Sequence, residues 1–165
     1  MLELMLSVRP AFKDYQFVIA GAPSLPKEFY QQYVDENVHF VSNKTYDLVR
    51  CSKAALVTSG TATLETALLN IPEVVCYRSS TISYEIGKRV VKNIKYISLV
   101  NLIMDKEIVS ELIQSQLNTE NLVKELTSIL EGERRIEMLS NFKQLREKLG
   151  GKGASDVAAD LIIKG

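Results

Sequence analysis

A chain of 165 residues, 46% hydrophobic and 24% charged, is long enough for one domain with its own core and has the make-up of an ordinary soluble globular protein. Twenty basic and twenty acidic side chains cancel, so nothing favours a nucleic-acid polyanion as partner. No apolar run approaches the roughly 20 residues of a membrane span, and Met1 leads into Leu2-Glu3-Leu4 without the basic start or cleavage site of a signal peptide.

Along the chain, helices and short apolar runs alternate. Leu2, Met5 and Leu6 follow helical spacing, and Pro10 ends that segment. Residues 16–20 read as a strand closed by Gly21-Ala22-Pro23. Pro26 opens a helix carrying Phe29, Tyr30 and Tyr33. Residues 38–41 are a second strand, and 45–52 a helix with Tyr46, Leu48, Val49 and Cys51 on its apolar side. Residues 54–57 form a third strand, followed by a loop and a helical run over 64–69. There Leu64, Ala67 and Leu68 share the face turned to the sheet, and Asn70 suits the left-handed position that ends a helix. Residues 74–77 and 94–99 read as the fourth and fifth strands, with a helix at 83–92 between them. Short apolar strands separated by helices indicate an α/β fold, a parallel sheet covered on both faces.

The tail is helical. Leu122, Leu126, Ile129 and Leu130 make one stripe, ended by Gly132. Ile136, Leu139, Leu145 and Leu149 make another, ended by Gly150-Gly151. Ser155 would cap a last helix carrying Val157, Ala158, Leu161 and Ile162. Cys51 and Cys76 lie in apolar segments without paired spacing and read as buried free thiols in a reducing cytoplasm. A single histidine, His39, with no cysteine pair near it, supports no metal site.

The segment richest in chemistry is Ser59-Gly60-Thr61-Ala62-Thr63-Leu64-Glu65. It joins an apolar strand to a helix through small hydroxyl residues and a glycine. Unpaired N–H groups and the positive end of the helix dipole make such a joint an anion site. Gly60 would let a phosphate approach the main chain closely. Glu65, one turn in, could accept both hydrogens of a ribose diol. The same spacing also serves a plain turn and cap, with the threonines bonded to their own backbone and Glu65 a solvated first-turn acid. The glycine-rich dinucleotide fingerprint is absent, as is the P-loop lysine.

Further on stand Ile71-Pro72-Glu73-Val74-Val75-Cys76-Tyr77-Arg78, then Tyr96-Ile97-Ser98-Leu99-Val100-Asn101, then Glu111-Leu112-Ile113-Gln114. In this order and spacing, these segments and the loop resemble the C-terminal half of lipid-A-disaccharide synthases, which are GT-B glycosyltransferases. The likeness covers most of the chain and is densest over 56–114. The family usually carries proline where Val100 and Ser110 stand. The resemblance implies a Rossmann-like, doubly wound parallel sheet, the C-terminal domain of a GT-B fold, with a helical tail. Residues 1–165 would be one nucleotide-sugar-binding domain, about 1–115 the α/β core and 116–165 the C-terminal helices. No part matches an N-terminal acceptor domain, so the chain reads as a fragment or the product of a truncated reading frame.

By the same resemblance, Ser59, Gly60, Thr61 and Thr63 would hold the diphosphate of a UDP-sugar, and Glu65 the ribose. Arg78 would neutralise a phosphate, or stand exposed at its strand end. Asn101, at the end of a strand, would meet a sugar or phosphate oxygen, or serve as a turn residue. Gln114 would do so from a turn over 111–114, or lie at the surface. Glu111 would orient the loop or touch the ligand, backbone near 40–42 would hold uracil, and Gly21 and Ala22 would give room to substrate or form a turn.

The implied reaction transfers 2,3-diacylglucosamine from UDP to 2,3-diacylglucosamine 1-phosphate with inversion, needing no metal or other cofactor. The acylated glucosamine phosphate acceptor and the general base would belong to the missing half, and this chain alone would not turn over. The whole enzyme would work in the cytoplasm, peripheral on the inner face of the inner membrane, and an exposed interdomain face could pair this chain as a homodimer. Two other readings stay open. One is the UDP-sugar domain of another GT-B enzyme, such as a GlcNAc transferase or UDP-GlcNAc epimerase. The other is a non-enzymatic nucleotide-binding or assembly module.

Overall fold

The computed structural model describes residues 1–78, 95–150 and 162. Among them the elements run α1 (Leu2–Leu6), β1 (Phe17–Gly21), α2 (Lys27–Gln31), β2 (Val38–Ser42), α3 (Thr45–Cys51), β3 (Ala55–Thr58) and α4 (Thr61–Leu68). Then follow β4 (Glu73–Tyr77), α5 (Leu99–Met104), β5 (Ser110–Ile113), α6 (Thr119–Leu130) and α7 (Glu133–Leu149). All pairings between these strands are parallel. They form a two-stranded sheet, β1-β2, and a three-stranded sheet, β3-β4-β5. With helices between and around the strands, this is a Rossmann-like α/β fold with a helical tail.

β4 is the spine of the larger sheet. It lies between two strands, so its residues 73–76 are buried on both faces, as its unbroken apolar run requires. Around it, Val74, Val75 and Cys76 meet Val100, Ile108 and Val109, together with Leu122 and Ile129 of α6 and Met138, Phe142 and Leu145 of α7. Each large side chain fully buried here contributes about 1.5–3 kcal/mol. The smaller sheet has a modest core of Ile19, Tyr30 and Val38.

Chain ends of helices follow local chemistry. At Asn70 φ is +63°, and the amides of Asn70 and Ile71 donate to the carbonyls of Ala67 and Thr66, closing α4 as expected for an asparagine in that position. Asp105 closes α5 the same way, with φ +47°.

Several expectations are corrected. Residues 95–99 are not the fifth strand. Ser98 caps α5, its hydroxyl accepting from the amide of Asn101, so the apolar run there winds into a helix. The fifth strand is β5, where a turn over 111–114 was expected. Its alternating burial lets Ser110 and Glu111 sit in a strand. α4 starts at Thr61, three residues early, and buries Thr63, Thr66 and Ala67 while Leu68 is exposed.

α3 buries none of its residues, and Cys51 is exposed while Cys76 is buried. Burial pushes the Cys76 thiol up to about 12. α7 buries Met138, Asn141, Phe142 and Leu145, leaving Ile136 69% exposed and Leu149 exposed too. Packing of Met138, Phe142 and Leu145 into the core around β4 and α6 sets which stripe faces inward. The helices expected at 83–92 and over 155–162 lie outside the described residues, apart from Ile162. No described helix is long and apolar enough to cross a membrane.

Candidate functional site

The parallel register aligns Thr58 with Cys76 and Cys76 with Leu112, and Tyr77 with Ile113. The residues that follow these strands therefore emerge at one edge. Ser59 and Gly60 leave β3, Arg78 leaves β4 and Gln114 leaves β5. In parallel α/β sheets the carboxyl edge is where ligands bind.

At this edge Gly60 is the N-cap of α4, with φ +143° and ψ −162°. An L side chain is strained at that φ, and a Cβ there would meet no atom within 4 Å. The glycine is thus demanded by the turn and leaves the main chain open to solvent. α4 presents its first amides here, and Thr61 is exposed, so the geometry suits an anion. Thr63 behaves differently from Thr61. It is fully buried, and its hydroxyl donates to the carbonyl of Gly60 at 2.9 Å. Thr66 likewise donates to Ala62 at 2.8 Å. These are the backbone bonds of helix-start threonines, so Thr63 supports the turn from behind.

The Ser59 amide continues the β3–β4 ladder to the Cys76 carbonyl at 3.3 Å, and its hydroxyl donates to the Ile97 carbonyl at 3.2 Å. Glu65 is half-buried on the first turns of α4. Against it lies the phenol of Tyr46, from α3. The Glu65 carboxylate's charge, and its hydrogen bond with the phenol, push the Tyr46 pKa up. Tyr46 is 55% exposed. An aromatic in an apparent apolar stripe gave no signal of this role. Arg78 is exposed, and Gln114 is half-buried in the left-handed region at φ +51°.

Asn101 is not at a strand end. It lies inside α5 and is fully buried. Its amide nitrogen donates to the Val109 carbonyl and to Glu111, both at 2.8 Å. Its oxygen accepts from the amides of Ile108 at 2.7 Å and Val109 at 3.0 Å. The side chain is therefore engaged in joining α5 to the approach of β5. Gly21 has a packing reason too: a Cβ there would lie 2.6 Å from the Phe40 ring.

Two hollows lie away from this edge. One of about 530 Å³, lined by Arg9, Phe12, Lys13, Tyr15 and Phe17 among others, sits where β1 begins. One of about 440 Å³ beside β5 is lined by Glu107, Glu111 and Glu125 together with Arg134.

Against known proteins, a family model described as lipid-A-disaccharide synthetase matches residues 3–162. Curated relatives carry the name lipid-A-disaccharide synthase. The one from Syntrophus aciditrophicus is 38% identical over 153 residues, 90% of this chain and 40% of its own. The one from Anaeromyxobacter dehalogenans is 36% identical over 169 residues, 99% of this chain and 44% of its own. The one from Geobacter metallireducens is 29% identical over 167 residues, 99% of this chain and 43% of its own. The chain thus spans about two fifths of the length of these relatives.

Proposed function

Because the chain belongs to the lipid-A-disaccharide synthetase family, we propose that it is the UDP-sugar-binding portion of such a synthase. The observation that carries this reading is the turn at 59–61, with Gly60 at φ +143° opening α4 on the sheet edge where Arg78 and Gln114 also emerge. The amides at the start of α4 hold the diphosphate of the donor, helped by the Thr61 hydroxyl and the Arg78 guanidinium. Glu65 accepts from the ribose hydroxyls, with Tyr46 setting its orientation. Gln114 meets the sugar or phosphate from the neighbouring strand end. Thr63 and Asn101 act from behind this surface.

The reaction is transfer of 2,3-diacylglucosamine from UDP to 2,3-diacylglucosamine 1-phosphate, with inversion at the anomeric carbon. The acceptor hydroxyl forms the new glycosidic bond as the bond to UDP breaks. Negative charge grows on the departing diphosphate, and preorganised N–H groups with the dipole of α4 stabilise it. The acceptor's proton passes to a base on a part of the protein beyond this domain. The acylated substrates place the whole enzyme at the cytoplasmic membrane face.

The test is a calorimetric titration of UDP into the chain and its Glu65→Ala variant. The expected result is saturable binding, weakened about 10- to 100-fold by the substitution, the value of one or two hydrogen bonds to a charged group. Equal affinity in both proteins removes Glu65 from the site. No binding by the folded chain refutes donor binding by this domain on its own.

A further inference from the structure

We infer that Glu111 is a positioning residue for the turn at 59–61, acting through the main chain of Ile97 and Ser98. Its side chain is half-buried on β5 and is saturated. One carboxylate oxygen accepts from the Ile97 amide at 2.8 Å. The other accepts from the Ser98 amide at 3.0 Å, the Ser98 hydroxyl at 2.7 Å and the Asn101 amide at 2.8 Å. Four donors converge on one carboxylate, three from the segment that enters α5 and one, Asn101, from its first turn. Among the described residues that segment pairs with no strand. Charge-assisted bonds are shorter and stronger than neutral ones, and a connected set strengthens each member.

The grip continues to the turn. With its amide held by Glu111, Ile97 offers its carbonyl to the Ser59 hydroxyl at 3.2 Å. Ser59 is in turn fixed to Cys76 and is followed directly by Gly60, the residue whose φ sets the direction of α4. A glycine there is free to take many conformations, so the turn needs an outside anchor to hold one. The circuit supplies it, from a residue 52 positions away in sequence. Asn101 braces the far side through Ile108 and Val109. This role rests on the donor-site reading for what the turn holds, though not for the circuit itself.

The proposal can be tested without ligand and then with it. Amide hydrogen exchange is followed residue by residue in the chain and in Glu111→Gln. The glutamine keeps the size but turns an N–H donor toward one of the four bonded groups. Exchange at the bonded amides of Ile97 and Ser98 and of Ser59 and Thr63 is expected to quicken about tenfold or more, with β1 and β2 unchanged. Ser59→Ala, cutting the circuit at the other end, should quicken Thr63, whose amide donates to the Gly60 carbonyl, and leave 97–98 protected. The double variant should add nothing at Thr63 beyond the single ones.

Unchanged exchange at Ser59 and Thr63 in Glu111→Gln overturns the proposal, and so does a uniform rise over the whole chain, which marks plain destabilisation. Should Glu111→Gln not fold, the Ser59→Ala pattern decides on the same terms. UDP is then titrated into the same proteins. Loosened turns with no UDP binding by the parent chain would sink the donor-site reading and leave the positioning role standing.

Discussion

The two sheets are built from the same kind of unit, yet they are buried very differently. β4 hides residues 73–76 completely, with α6 and α7 adding Leu122, Ile129, Met138 and Phe142 to the same core. β2 buries Val38 alone, and its sheet relies on a small cluster in which Tyr30 stacks on Phe40 at a centroid distance of 4.8 Å. The turn at 59–61 grows from the well-packed half. A preorganised anion site gains from a rigid base, because ordering lost at binding subtracts from affinity. The polar circuit of Glu111 and Asn101 also belongs to that half.

Phe142→Ala should damage the better-packed half most. This ring is fully buried, and its loss is expected to cost about 3–5 kcal/mol. Denaturant unfolding followed by exchange at single amides would read it. If β3, β4 and β5 open well before β1 and β2, the halves are energetically separate. If all open together, they fold as one unit.

Gly21→Ala probes the weaker half. The added Cβ would lie 2.6 Å from the Phe40 ring, which is itself held by Tyr30, so overpacking should cost about 1–3 kcal/mol. The loss should appear in β1 and β2, with UDP titration at the other sheet unaffected.

Glu73→Leu sharpens the contrast in the opposite direction, since it should stabilise. Glu73 is fully buried at the start of β4, and neither oxygen finds a hydrogen-bond partner among the described residues. Burial pushes its pKa well above the ordinary 4.5. The folded chain therefore holds a proton that the unfolded chain releases above that value. Stability is fullest below pH 4.5 and falls as pH rises through the window up to the folded pKa. Leucine removes both this slope and the unpaired polar group, a gain of about 1–3 kcal/mol at pH 8 that shrinks toward acid pH. Melting curves across pH would check it, and a parallel pair of curves would show that Glu73 is not held protonated.

Much of the fold can be read in neighbouring residues. The strand at 74–77 is an apolar run bounded by Pro72, and Asn70 marks the end of α4 because its short amide tolerates the left-handed conformation. The apolar stripe of α6 falls on Leu122, Leu126, Ile129 and Leu130, as its spacing predicts. The glycine of the turn at 59–61 is legible for the same reason, since a positive φ is a local demand. These features depend on residues within about one or two helical turns of each other, and the chain carries that information along its length.

Long-range contacts decided the rest. Asn101 reads as a strand end because the short apolar run over 94–100 leads up to it, yet Ser98 caps a helix there once Glu111 draws in the amides of Ile97 and Ser98. β5 exists because Ser110 and Glu111 line up beside Val74 and Val75. The bond from Ser59 to Ile97 spans 38 residues, and Tyr46 meets Glu65 across two helices. No periodicity encodes such pairs. Which polar group a buried amide finds depends on how the elements close on each other in space, and that closure is where the turn at 59–61 acquires its support.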